Sequence, residues 1–205
     1  MPARSFTVTF AALLALATVA PAAPASAQIA WDAPPLISHV APAGFSLFLT
    51  SPAGGDLGGL ATFRHSAGPV GMGYRFALAE ENGSGDLAVA GGLDVSGFLA
   101  RAVEGSELDV MWWSGLGLGV GTETVASIPL GLLVGWSGDG GDAILSPYGG
   151  GHVSLDIASG EGDSVNLSGS FDFGLDLALS SGWFVRFGAS IGDREAIAIG
   201  VKVGS

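Results

Sequence analysis

Residues Ser164–Gly182 read SVNLSGSFDFGLDLALSSG. Val165, Leu167, Phe171, Phe173, Leu175, Leu177 and Leu179 share one parity; Asn166, Ser168, Ser170, Asp172, Asp176 and Ser180 share the other. A period of two sustained this long is a strand signal, because successive side chains of a strand point to opposite faces. Neither face holds a Lys, Arg or Glu. A soluble sheet covers its outer face with such groups, so the medium against the Phe/Leu face decides the kind of protein.

The same split recurs along the chain. Leu87, Val89, Leu93 and Val95 oppose Ala88, Ala90, Asp94 and Ser96; Leu108, Val110, Trp112, Leu116, Leu118 and Val120 oppose Asp109, Met111, Trp113, Gly115, Gly117 and Gly119. Alternating runs cover 45–51, 58–66, 70–80, 86–100, 107–121, 127–137, 144–158, 164–180, 183–191 and 195–203. Turn-formers separate them, among them Asn82-Gly83-Ser84-Gly85 and Gly138-Asp139-Gly140-Gly141-Asp142. Pro129 and Pro147 fall near run ends, where a missing ladder donor is tolerated. No segment keeps a 3.6-residue period. The expected fold is all-β, an up-and-down antiparallel barrel of about ten strands, or eight if 45–66 stays outside the sheet.

Composition points to lipid outside that barrel. The chain of 205 residues is 48% hydrophobic and only 13% charged, about half the charged share usual in soluble domains. The face opposite the bulky one carries Gly, Ser, Ala and Asp. These suit a narrow lumen better than bulk water, which turns the Leu/Phe face outward. Hydrocarbon then requires a closed sheet, since an open edge leaves backbone groups unpaired. The middle runs exceed the ~9–11 residues that a tilted spanning strand needs.

At the front, Arg4, the apolar run FTVTFAALLALATVA (6–20) and Ala25-Ser26-Ala27 have the form of a secretory signal cleaved near Ala27/Gln28. Residues 28–44 are Pro/Ala-rich without a period, a linker or a plug, and 45–205 form the barrel domain. There is no cysteine for a disulfide or a thiolate metal site. The net charge of −12 argues against nucleic acid as a partner.

Dyad repeats such as FDFGLDLAL and GLDVSGFLA, Gly-rich turns and the leader resemble the small outer-membrane β-barrel superfamily, whose members have eight to ten strands. The resemblance covers roughly 45–203 and is one of pattern. It implies residence in the outer membrane and contact with its lipid. Many members end in an aromatic residue, and this chain departs from them by ending VKVGS.

The candidate site is the lumen. By parity Asp94, Asp109, Asp156, Asp172 and Asp176 point inward, with Arg75, Arg186 and Lys202 as partners. They read as an ion network that stiffens the barrel, or as the lining of a narrow pore that favours small cations. His152-Val153-Ser154 resembles the His-x-Ser pair of outer-membrane lipid A deacylases, with Glu161 as the acid. That activity needs a lipid-facing site, and His152 and Ser154 share the inward parity. The acidic glycine turns at 80–86, 138–142 and 160–163 lack Ca²⁺-loop spacing, and no two-His metal spacing appears. Trp112, Trp136, Trp183 and Tyr74 are candidates for interfacial aromatic belts.

The sequence therefore predicts an outer-membrane barrel, structural or passively pore-forming, with no catalysis, metal or cofactor. The rivals are a soluble lipocalin-like barrel carrying an apolar ligand and, behind it, a membrane-embedded lipid hydrolase.

Overall fold

The computed structural model of the chain describes residues 30–40, 42–65, 70–81, 85–101, 108–139, 143–159 and 164–203. The expected leader and Glu161 lie outside the described residues. Ten long strands follow one another: β1 (Gly44–Ser51), β2 (Gly55–His65), β3 (Val70–Glu81), β4 (Leu87–Ala100), β5 (Leu108–Val120), β6 (Thr124–Trp136), β8 (Ala143–Ser159), β9 (Ser164–Leu179), β10 (Phe184–Gly192) and β11 (Ala196–Val203). A two-residue strand, β7 (Gly138–Asp139), pairs only with β8.

Each long strand pairs antiparallel with its neighbours in sequence, β6 passing directly to β8 from Thr124↔Ser159 to Gly135↔Tyr148. β1 also pairs with β11, from Phe45↔Val203 to Ser51↔Ile197, and this closes the sheet. Closure leaves no edge with unpaired backbone groups. Residues 45–65 join the sheet as β1 and β2, which makes the barrel ten-stranded rather than eight-stranded.

Turn chemistry sets the short connections. Gly54 and Gly182 adopt φ of 77° and 87°, a region glycine enters without steric cost. Gly55 N–H donates to Pro52 O at 3.0 Å, and Gly182 N–H to Leu179 O at 2.9 Å. Two strands begin three residues earlier than the sequence expectation, β2 at Gly55 rather than 58, where Gly55 pairs with Glu81, and β6. β6 begins at Thr124, earlier than the run from 127, because Gly121 N–H donates to Glu123 O and Thr122 N–H to Glu81 Oε1, holding a tight turn at 121–123. Pro129 therefore sits mid-strand. The β5–β6 ladder skips from Ser114↔Leu130 to Gly117↔Ser127 around it, where proline has no N–H to give. Ser114 Oγ donates to Pro129 O at 2.7 Å across the gap.

The two faces divide as the alternation requires. On β3, Val70, Met72, Tyr74, Phe76 and Leu78 are exposed on the outer surface, whereas Arg75, Ala77 and Ala79 are buried inside. On β6, Ile128, Leu130 and Leu132 lie outside, with Ser127 and Leu133 buried. β1 starts and β11 ends at the same mouth, here called proximal; the opposite mouth, with the turns at 52–54, 121–123 and 193–195, is distal.

Candidate functional site

Residues 31–38, Trp-Asp-Ala-Pro-Pro-Leu-Ile-Ser, are buried inside the cylinder and fill its axis. Ala30 N–H donates to Ala53 O at the distal mouth, and His39 Nε2 lies 3.0 Å from Ser137 Oγ at the proximal one. The segment thus crosses the lumen from distal to proximal before the chain turns into β1. The segment is not part of the sheet ladder, so donors from wall side chains satisfy its carbonyls. Arg75 Nη1 donates to Trp31 O at 3.1 Å, and Arg186 Nη1 donates to Leu36 O.

Three polar clusters line the wall. Near the distal mouth Arg194, in the β10–β11 turn, donates to both Asp32 and Asp156. Ser154 Oγ donates to Asp32 at 2.6 Å, and Ser127 Oγ to Asp156 at 2.7 Å. In mid-barrel Asp172 accepts from Ser190 Oγ at 2.6 Å and lies 2.6 Å from His152 Nδ1. The His152 imidazole packs tilted at 58° against Trp113, ring centroids 5.3 Å apart, and its Nε2 is 3.9 Å from Asp32 Oδ2. On the proximal side Arg186 grips Asp176 through Nε at 2.6 Å and Nη2 at 2.7 Å, and Nη2 also reaches Ser38 Oγ at 2.8 Å. Ser38 in turn donates to Asp176. Arg64 pairs with Asp94, while Arg75 stands off at 3.9 Å from the same carboxylate.

These placements bring most of the residues expected from sequence into one lumen. Asp94, Asp156, Asp172, Asp176, Arg75 and Arg186 all have partners there. Lys202 is half-buried at the proximal mouth and makes no hydrogen bond or ion pair among the described residues. Asp109 is half-buried near the same mouth, close enough to His39 to act on it. Two further arginines also point inward. Arg64 shares the parity of Thr62, so alternation contained the signal. Arg194 sits in a turn and Asp32 in the aperiodic segment, where parity says nothing. Glu81, also unassigned by the sequence reading, is buried at the distal end and takes both Thr122 N–H and Thr122 Oγ1–H.

Arg64, Arg75, Arg186 and Lys202 line a small cleft at the proximal mouth together with Asp94, Phe48 and Thr62. Toward the distal mouth Asp32 and Asp156 share Arg194, and Glu81 lies at the same end. Buried ions hold their charge only when paired and hydrogen-bonded; Asp32 on Arg194 and Asp176 on Arg186 meet that condition, whereas His152 Nε2 is buried without a hydrogen-bond partner among the described residues. Burial lowers the pKa of His39 below the ordinary imidazole value, outweighing the upward pull of Asp109 and Asp176.

No protein-family model, curated protein or solved structure matches the chain.

Proposed function

We propose that the chain is an outer-membrane β-barrel that spans the bilayer with a filled lumen and serves a structural role. One observation carries this reading: the outer surface is apolar on the long strands all round the barrel. Leu49, Leu57, Phe76, Leu93, Leu116, Leu130, Val153, Phe171, Ile191 and Ile197, one from each long strand, are all exposed. A contiguous apolar band of this kind far exceeds what a soluble monomer leaves in water. Its exposed Tyr and Trp, Tyr74, Trp136 and Trp183, lie toward the proximal end with Phe45 and Phe63; Leu57, Leu87, Val120, Val165 and Ile197 occupy the distal end. Tyr and Trp favour the headgroup level of a membrane, so the proximal end reads as one interface.

The filled axis argues for a structural barrel over an open pore. A lipocalin-like carrier would need an apolar cavity inside, and this lumen holds residues 31–38 and paired ions instead. The reading assigns no reaction, metal or cofactor. His152 and Ser154, the pair similar to that of the lipid A deacylases, meet Asp172 and Asp32 inside the barrel, away from lipid. The expected partner is outer-membrane lipid.

Fractionation tests the proposal. The protein should sediment with outer membranes, require detergent for extraction, and migrate faster unboiled than boiled on a denaturing gel. Recovery as a folded monomer in detergent-free buffer would contradict it.

A further inference from the structure

We propose that the lumen is a binding site for a peptide, and that residues 31–38, which enter it through a turn at 31–32 and a bend at 33–34, are its ligand, supplied by the chain itself. The proposal rests on the lumen wall and holds whichever medium surrounds the barrel.

The wall is shaped to the side chains of the segment. The Trp31 indole lies against Gly92 on β4 and Gly115 and Gly117 on β5. A Cβ at Gly115 would come within 2.7 Å of the indole, and one at Gly92 would overlap it. At Gly92 the nearest atoms to such a Cβ are all Trp31 ring atoms. Its φ lies outside the left-handed region, so the strand itself does not call for glycine there. Glycine weakens a strand interior and often marks close approach of another group; here that group is the indole. Farther along, a Cβ at Gly188 would stand 2.6 Å from Leu36 Cδ2.

Polar recognition accompanies the steric fit. Arg194 and Ser154 clamp the Asp32 carboxylate, Arg75 and Arg186 take the carbonyls of Trp31 and Leu36, and Arg186 with Asp176 fixes Ser38. Bonds that hold a backbone and pockets that select its side chains are how peptides are recognised elsewhere. The ligand class is therefore a peptide with an aromatic–acid pair followed by prolines and an aliphatic residue.

The test uses the full chain folded in detergent micelles. The chain has no cysteine, so Leu36→Cys introduces a single thiol that reports whether the segment is seated. In that background the thiol should resist maleimide until the protein is unfolded. Gly92→Ala should raise its labelling rate about tenfold or more, since labelling follows the population of the opened state. Adding Gly92→Ala to Trp31→Ala should bring no further rise, because the ring atoms nearest to the methyl are then gone.

A second arm leaves the wall untouched. Trp31→Ala with Asp32→Asn should unseat the segment, and that full-length variant should then bind a fluorescent synthetic peptide of residues 29–40. The unsubstituted chain should not bind it, and a peptide carrying Asp32→Asn should bind about tenfold more weakly or worse. Unchanged labelling in a Gly92→Ala chain that keeps its fast unboiled migration would overturn the proposal. So would additive effects of Gly92→Ala and Trp31→Ala. If Gly92→Ala does not fold, the peptide arm decides alone, and failure of the unseated chain to bind the peptide would refute the site. Neither readout depends on residence in the outer membrane, so this proposal and the membrane reading fail separately.

Discussion

Leu130→Arg separates a lipid-facing barrel from a water-facing one. Leu130 stands at the middle of β6, opposite Ser114 and Val153 near the middles of β5 and β8, and is 59% exposed. On a surface in water such a substitution changes stability by less than about 0.5 kcal/mol. At a bilayer midplane an outward arginine costs about 2–4 kcal/mol. With a factor of ten for every ~1.4 kcal/mol, the folding equilibrium should fall by about 30- to 900-fold. Leu87→Arg is the internal control. Leu87 is equally exposed but opens β4 at the distal end, where the cost should drop to about 0–1 kcal/mol. The assay is reversible denaturant unfolding of the protein inserted in phospholipid vesicles. A cost below about 0.5 kcal/mol at both positions would refute the reasoning, because depth would then have no meaning for this barrel.

Other consequences concern the lumen and the distal rim. Arg194→Ala leaves Asp32 and Asp156 buried without their shared cation, and should cost about 3–5 kcal/mol in the same unfolding assay. Glu81→Gln keeps the shape but loses the charge that holds Thr122; it should cost about 1–2 kcal/mol and speed hydrogen exchange at the Thr122 amide. His39 supplies a pH dependence. Its folded pKa lies below the unfolded value of about 6.5, so its contribution to seating the segment is full above that value. The contribution declines as pH falls through 6.5 toward the folded pKa. The labelling rate of Leu36→Cys, divided at each pH by the rate of the unfolded chain so that the falling thiolate fraction cancels, should rise with acid across this window, and His39→Gln should flatten the rise.

The fold was legible because period-two alternation survives wherever the two faces of a strand differ in chemistry, here bulky and apolar outside and small or polar inside. Phe171, Phe173 and Leu175 announce their strand, and the start of β6 was misplaced only because a three-residue turn held by the distant Glu81 leaves no mark on local pattern. The lumen was legible in part for the same reason. Asp94, Asp172 and Asp176 sit on strands, where parity assigns a direction. Asp32 and Arg194 sit on an aperiodic segment and a turn, and only closure of the sheet brings them together across a sequence separation of 162. The glycines at 115 and 117 were visible as small inward residues, but not as the outline of Trp31, and Gly92 carried no separate mark. A socket is defined by what fills it, and the filler came from a segment whose path no periodicity encodes.

The central claim is that the Leu/Phe face meets hydrocarbon, and a spin-label scan of β6 in lipid vesicles tests it most directly. The absence of native cysteine allows single-site labelling at Ile128→Cys, Leu130→Cys and Leu132→Cys, with Leu87→Cys as a rim reference. The three β6 labels should collide readily with oxygen, which concentrates in the bilayer, and rarely with a water-soluble nickel complex, the contrast being greatest at position 130. Strong nickel collision and weak oxygen collision at all three positions would place that face in water and contradict the account.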